Sequence, residues 1–159
     1  MTDDIKKKID VVFIAGGKFH DIDFARLEIL KLLAEDDRMK TRVFEDYSNL
    51  HAIENADFLI TYTCDVRPTL EQQKVLQKYV ASGNRWLALH GTNSILQFMS
   101  NGKVDSPRIA PVMMETLGSQ FIAHPPIEPY NVKVSQPDHP LVEGVEEFET
   151  TDELYLMEL

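Results

Sequence analysis

Three of the five histidines in this chain stand directly after, or close behind, an apolar segment: His20, His90 and His124. An imidazole can exchange a proton near neutral pH, ligate a metal or simply donate a hydrogen bond. Any one of the three alone reads as a hydrogen-bonded loop residue. Three at the same kind of position point to a shared site.

His90 is the sharpest of them. In Leu89-His90-Gly91-Thr92 a short apolar run ends on the histidine and a small residue follows. That is the pattern of a nucleophile elbow, a strained turn that lifts one side chain above a sheet. A histidine there suits proton transfer or metal ligation and does not suit a stable acyl intermediate. Several other residues are expected to line the same site. Gly16 and Gly17 end the first apolar run, Asp21 is placed to orient His20, Tyr62 and Cys64 follow the third run, and Gly91 and Thr92 form the elbow. Glu153 comes late in the chain, where Asp152-Glu153 with Tyr155 either reach the site or decorate a strand. Cys64 is a lone thiol outside the elbow and reads as an ordinary half-buried residue. His51 sits in a polar stretch and has no assigned role, and Asp138-His139-Pro140 reads as a turn. The histidine spacings match no compact metal motif such as H-E-x-x-H, so a divalent metal, which stays open as a cofactor, would be held only by a fold-assembled site.

The elements that must position these groups are readable from the apolar runs. Residues 11–15 (VVFIA) form a continuous run rich in β-branched side chains, as a strand buried on both faces does. Residues 41–44, 57–61 and 85–89 are further strands, and 120–123 and 132–135 are later candidates. A helix follows the first strand, capped by Asp21 or Asp23, with Phe24, Leu27, Leu30 and Leu33 on one face. Another starts at a capping box of Thr69 and Gln72, buries Val75, Leu76, Tyr79 and Val80, and stops at Gly83. Residues 93–99 and 112–117 read as short helices, and 101–111 as a loop.

Strands alternating with helices imply βαβ crossovers. The expected fold is α/β: a flavodoxin-like, doubly wound parallel sheet of order 2-1-3-4-5 in a three-layer αβα sandwich, as one domain over residues 1–159. In such a sheet ligands bind beyond the carboxyl ends of the strands. Neither nucleotide nor flavin is expected. Gly16-Gly17-Lys18-Phe19-His20 lacks the G-x-G-x-x-G fingerprint, and no Ser or Thr lies between Gly16 and Asp23 for a flavin phosphate. The acidic residues of a phospho-acceptor receiver are missing as well.

The same residues resemble the ThuA-like (trehalose utilisation) family of the class I glutamine amidotransferase-like superfamily. The resemblance is carried by Gly-Gly-x-x-His-Asp at 16–21, Ala56-Asp57, Leu89-His90-Gly91, His124-Pro125, Asp138-His139-Pro140 and Asp152-Glu153-Leu154-Tyr155. It implies the same flavodoxin-like fold, a histidine where amidotransferase relatives keep a catalytic cysteine, and a link to carbohydrate metabolism. The expected function is therefore a ThuA-like protein that binds or transforms a sugar or sugar derivative. His90 would act as acid, base or ligand, with His20 and His124 assisting. The alternative is a non-catalytic ligand-binding or interaction module on the same fold. Glutamine amidotransferase activity ranks third, since the elbow lacks cysteine. Family domains continue beyond the segment resembling 152–155, so the apolar residues 155–159 are expected to meet further sequence or a partner subunit.

Composition narrows the partners. The formal net charge is −10 and the pI about 4.9, which disfavours nucleic acid. The one basic cluster, Lys6 to Lys8, reads as a solvated flank. A single cysteine permits no intrachain disulfide and fits a reducing compartment. MTDDIKKKID lacks the apolar core of a signal peptide, and no apolar run reaches the ~20 residues of a membrane span. The expected setting is cytoplasmic, with a small carbohydrate-like ligand, no membrane, and a homo-oligomeric state.

Overall fold

The computed structural model describes residues 7–159; Lys6 of the basic cluster and the N-terminal segment before it lie outside the described residues. In chain order the elements are β1 (Ile9–Gly17), α1 (Ile22–Leu33), β2 (Met39–Phe44), α2 (Leu50–Glu54), β3 (Phe58–Cys64), α3 (Leu70–Ala81) and β4 (Arg85–Leu89). After a 3-10 turn at His90–Asn93 come β5 (Gln97–Phe98), β6 (Val104–Asp105), α4 (Pro111–Leu117), β7 (Gln120–Ala123), β8 (Glu128–Val132), β9 (Phe148–Asp152) and β10 (Leu156–Glu158).

The first four strands form one parallel sheet in the order β2-β1-β3-β4. Because strand side chains alternate between faces, β1 divides its apolar run between two cores. Val12 and Ile14 join Leu59, Ile53, Leu76 and Met113 on the side of α2, α3 and α4. Val11, Phe13 and Ala15 join Ile60 and Leu33 on the side of α1. Val11 through Ala15 are fully buried, so the continuous run is the signature of a strand covered on both faces. The result is the three-layer α/β arrangement.

Local chemistry sets the helix ends. The Asp21 carboxylate accepts from Phe24 N–H, and Thr69 and Gln72 form the reciprocal capping box of α3. Gly83, at φ 86°, ends α3 in the left-handed conformation a glycine adopts without strain. The start of α4 has no side-chain cap of its own. Buried Gln73 serves it from α3, accepting from Val112 N–H at 3.2 Å while its amide donates to the Pro68 carbonyl at 3.1 Å.

Several expectations are corrected. β7 does not extend the parallel sheet as a fifth strand; it pairs antiparallel with β10 in a separate two-stranded sheet. Residues 156–158 are thereby paired on one side. The later candidate strand lies at Glu128–Val132, paired with β9, rather than at 132–135. Residues 93–99 are not a helix: Ile95 turns into the core while Gln97 and Phe98 pair with β6, inside the stretch expected to be a loop. In α1 the buried face is Ile22, Ile29, Leu30 and Leu33, whereas Phe24 and Leu27 are more than half exposed. The helix α2 was not expected at all. No helix among the described residues is long and apolar enough to cross a membrane.

Candidate functional site

Register brings the ends of three strands level. Gly17 pairs with Cys64, and Tyr62 with Leu89, so the residues after β1, β3 and β4 emerge at one edge of the sheet. Each of these exits contains a non-glycine residue at positive φ: Phe19 at 70°, Asp65 at 55° and His90 at 47°. Such conformations are costly and persist only where the surroundings enforce them.

At His90 the enforcing contacts are clear. The Thr92 hydroxyl donates to the Leu89 carbonyl (2.8 Å) and lies 3.0 Å from the Thr61 hydroxyl, tying the turn to β3. A Cβ on Gly91 would lie 2.9 Å from the Thr63 carbonyl oxygen and 3.3 Å from His20 Nε2, so the turn sits hard against β3 and the His20 ring. The elbow expectation holds in its strained backbone, although a 3-10 turn follows instead of a helix. Gly91 and Thr92 build the turn; Thr92 is buried and bonded within the protein.

Around the turn the rings converge. The His20 and His90 ring centroids lie 4.3 Å apart at 65°. Tyr62 stacks beside His90 at 5.7 Å, and Tyr155 stacks on it at 4.9 Å with its hydroxyl 3.2 Å from Nε2. Glu153 stands between two histidines, with Oε2 3.7 Å from His90 Nε2 and Oε1 3.6 Å from His124 Nε2. His124 Nδ1 is 2.8 Å from the Pro125 carbonyl, which can only accept, so Nδ1 carries a proton and Nε2 faces the carboxylate. Of these groups His20, His124, Glu153 and Tyr155 line a cavity of about 330 Å³ together with Cys64, with Phe19, Phe98 and Ile122 as its apolar part. His90 stands behind that wall and lines an adjoining cavity, which shares Tyr155.

Burial, and then the neighbouring His90 ring, hold the His20 imidazole below the ordinary histidine range. Burial, followed by the charge of Glu153, pushes the Tyr155 phenol up; burial, followed by Asp152, does the same to Tyr62. Both phenols therefore stay protonated at neutral pH and can donate hydrogen bonds.

Other expected site residues are placed differently. Asp21 does not orient His20 through a hydrogen bond; its carboxylate caps α1. Gly16 and Gly17 line an adjoining polar groove with Asp21, Arg26 and Glu45, which meets the cavity at His20. Tyr155, whose sequence signal was its place in Asp-Glu-Leu-Tyr, contacts His90 more closely than any residue expected there except His20. Asp65 is the second residue whose weight the sequence understated. Its carboxylate is 3% exposed and accepts from Lys18 Nζ at 2.9 Å, Arg67 Nε at 3.1 Å and Leu96 N–H at 3.1 Å, pinning the exits of β1 and β3 to the segment after the elbow.

Cys64 borders the cavity but is buried. Burial, with Asp65 next to it, pushes its thiol up to about 11. At pH 8 its thiolate fraction is then about 100-fold below that of an ordinary free cysteine. Iodoacetamide, followed by mass spectrometry, is expected to label the native protein slowly and the denatured protein fast. The chain is also expected to release no ammonia from glutamine; measurable release, lost in Cys64→Ser, would contradict this account.

A family model described as ThuA, trehalose utilisation, matches residues 10–159. Among solved structures, the crystal structure of a ThuA-like protein from Bacteroides uniformis is similar with a TM-score of 0.72 and 16% sequence identity, over 96% of this chain and 62% of that one. At that identity the likeness speaks for the fold, and the chain spans about three fifths of its neighbour's length. A search of curated proteins finds no match. The family match extends from β1 through β10 and takes in every histidine of the cavity, and on that ground the chain belongs to the ThuA, or trehalose utilisation, family.

Proposed function

We propose that this protein binds a carbohydrate or carbohydrate derivative in the cavity at the carboxyl edge of its sheet and transforms it there, with His90 at the centre as acid, base or ligand. The observation that carries the reading is the meeting of His20, His124, Glu153 and Tyr155 around one cavity, with His90 packed against His20, Tyr155 and Glu153, from parts of the chain that share nothing but that edge. A sugar presents hydroxyls that both donate and accept, and its C–H faces lie flat on aromatic rings. The cavity supplies a carboxylate and imidazoles for the first, and the Tyr155 and Phe121 rings, 4.5 Å apart, with Phe19 for the second. The family's link to trehalose utilisation supports the same class of ligand.

Isothermal titration with a panel of mono- and disaccharides, trehalose first, tests the reading. At least one member is expected to bind saturably, and His90→Ala is expected to weaken it about tenfold, the worth of one good buried hydrogen bond. Product formation by chromatography that disappears in His90→Ala identifies an enzyme, and tight binding without turnover a binding module. No saturable binding across the panel overturns the carbohydrate assignment.

A further inference from the structure

Two imidazoles and a carboxylate reach one point at the wall of this cavity. One donor atom each from His20, His90 and Glu153 lies within 4.8 Å of the other two. No other group of histidine, cysteine or acidic side chains among the described residues meets at that spacing. Two histidines and a glutamate are a donor set of open, catalytic zinc sites, in which a fourth position is left for water or substrate.

The distances are close to what such an ion requires. Donors on a tetrahedral ion with bonds of about 2.0–2.1 Å stand about 3.4 Å apart. His90 Nε2 and Glu153 Oε2 already stand 3.7 Å apart. The remaining closure is an inward movement of about 1 Å by side chains that are only partly buried, within the reach of rotamer adjustment. The surroundings are also those of a ligating carboxylate. The other Glu153 oxygen faces His124 Nε2 at 3.6 Å, and with both ring nitrogens protonated that imidazolium would hold the carboxylate in place by charge. The missing side chain at Gly91 gives His20 Nε2 its room against the turn.

We propose that His20, His90 and Glu153 bind one divalent metal ion of the zinc class, with its open position facing the cavity and His124 positioning Glu153. Tyr155, whose hydroxyl is 3.2 Å from His90 Nε2, is released from that contact when the ring ligates. It is then free, with His124, to hydrogen-bond a ligand on the open position. The inference rests on the carbohydrate reading only for the identity of that ligand, since adjacent hydroxyls of a sugar can occupy an open position on such an ion.

The test uses the full chain, purified without a histidine tag and stripped with chelator. Zn2+ is titrated against a competing chromophoric chelator, and Co2+ is added separately to read the visible absorption of a tetrahedral site. One equivalent is expected to bind, raising Tm and giving the intense Co2+ bands. His20→Ala and Glu153→Gln are expected to weaken Zn2+ by more than 100-fold. His124→Ala should cost about 10- to 100-fold, as outer partners do. Circular dichroism shows whether each variant is folded, and Glu153→Gln, which preserves size, is the decisive one if His20→Ala is not. Absence of a one-equivalent site, or an affinity unchanged in Glu153→Gln, overturns the proposal. Sugar titrations on the stripped and loaded protein keep the two readings apart. Sugar binding without metal binding removes the metal alone, and metal binding without any sugar binding removes the carbohydrate reading alone.

Discussion

Gly17→Ala is expected to cost about 3–5 kcal/mol of folding stability, combining left-handed strain with backbone overpacking. Gly17 has φ 111°, a conformation closed to alanine without strain. An added Cβ would lie 1.9 Å from the Cys64 carbonyl oxygen. That oxygen belongs to the residue Gly17 pairs with across β1 and β3, and it accepts from Lys18 N–H at 3.0 Å. The obstacle is thus main chain held on both sides, and relief requires parting the two central strands at the edge where the site is built. In a domain of this size each kcal/mol moves Tm by about 2–4 °C, so a loss of about 6–20 °C is expected by thermal denaturation. Gly83→Ala is the control. Gly83 also has positive φ, at 86°, but an added Cβ there meets nothing within 4 Å, so only the strain of about 1–2 kcal/mol applies. Equal losses in the two variants would show that the close approach carries no weight.

Asp65→Asn is expected to cost about 2–3 kcal/mol, because three donors converge on a buried carboxylate and charge-assisted hydrogen bonds are the strong ones. Asparagine tolerates the φ of 55° at this position, so the variant removes charge and leaves the backbone nearly undisturbed. Burial alone would raise the Asp65 carboxyl; the bonds from Lys18, the Leu96 N–H and Arg67 outweigh it and hold the group below the usual carboxylate range. Lys18 and Arg67 are half exposed or more and regain water when the charge is lost, which keeps the cost at the lower end for a broken buried pair. The depressed folded value sets the pH dependence. The stabilisation is fully present above the unfolded value of about 3.9 and is lost as pH falls through the lower folded value. Urea unfolding of wild type and variant is expected to differ by a constant amount from pH 5 to 8, with the gap closing below about pH 4. A gap that persists undiminished at pH 2 would rule out the charge as its source.

The parts of the fold that local chemistry dictates were legible in the sequence. A strand buried on both faces needs an unbroken apolar run, and VVFIA is such a run with both cores behind it. The caps at Asp21 and Thr69 were legible because an oxygen beside free N–H groups has one obvious use. What long-range bonding decides was not. Residues 93–99 carry apolar side chains at helical spacing, yet Ser94 and Leu96 are drawn into an extended path, Ser94 accepting from Asp65 N–H and Leu96 donating to the Asp65 carboxylate. Nothing near β7 in the chain announces that its partner is β10. The site divides the same way. His20 and His90 end runs of known direction, so their meeting followed from a parallel sheet. Glu153 and Tyr155 reach His90 through the fold of the last residues, and their short motif marked them without placing them.

The arrangement has a consequence in time. All four strands of the parallel sheet are complete in the chain by Leu89, and His20 and His90 lie on the segments that leave β1 and β4. Glu153, Tyr155 and His124 are all synthesised later. On a ribosome adding about 5–20 residues per second, a nascent chain can order its sheet while the far wall of the cavity has yet to be made. The two strained histidine-bearing exits then await the carboxylate and the phenol that complete their surroundings. A ligand held between the early histidines and Glu153 or Tyr155 would bind only once the last-made part of the chain is in place, so such a molecule would report on the finished protein alone.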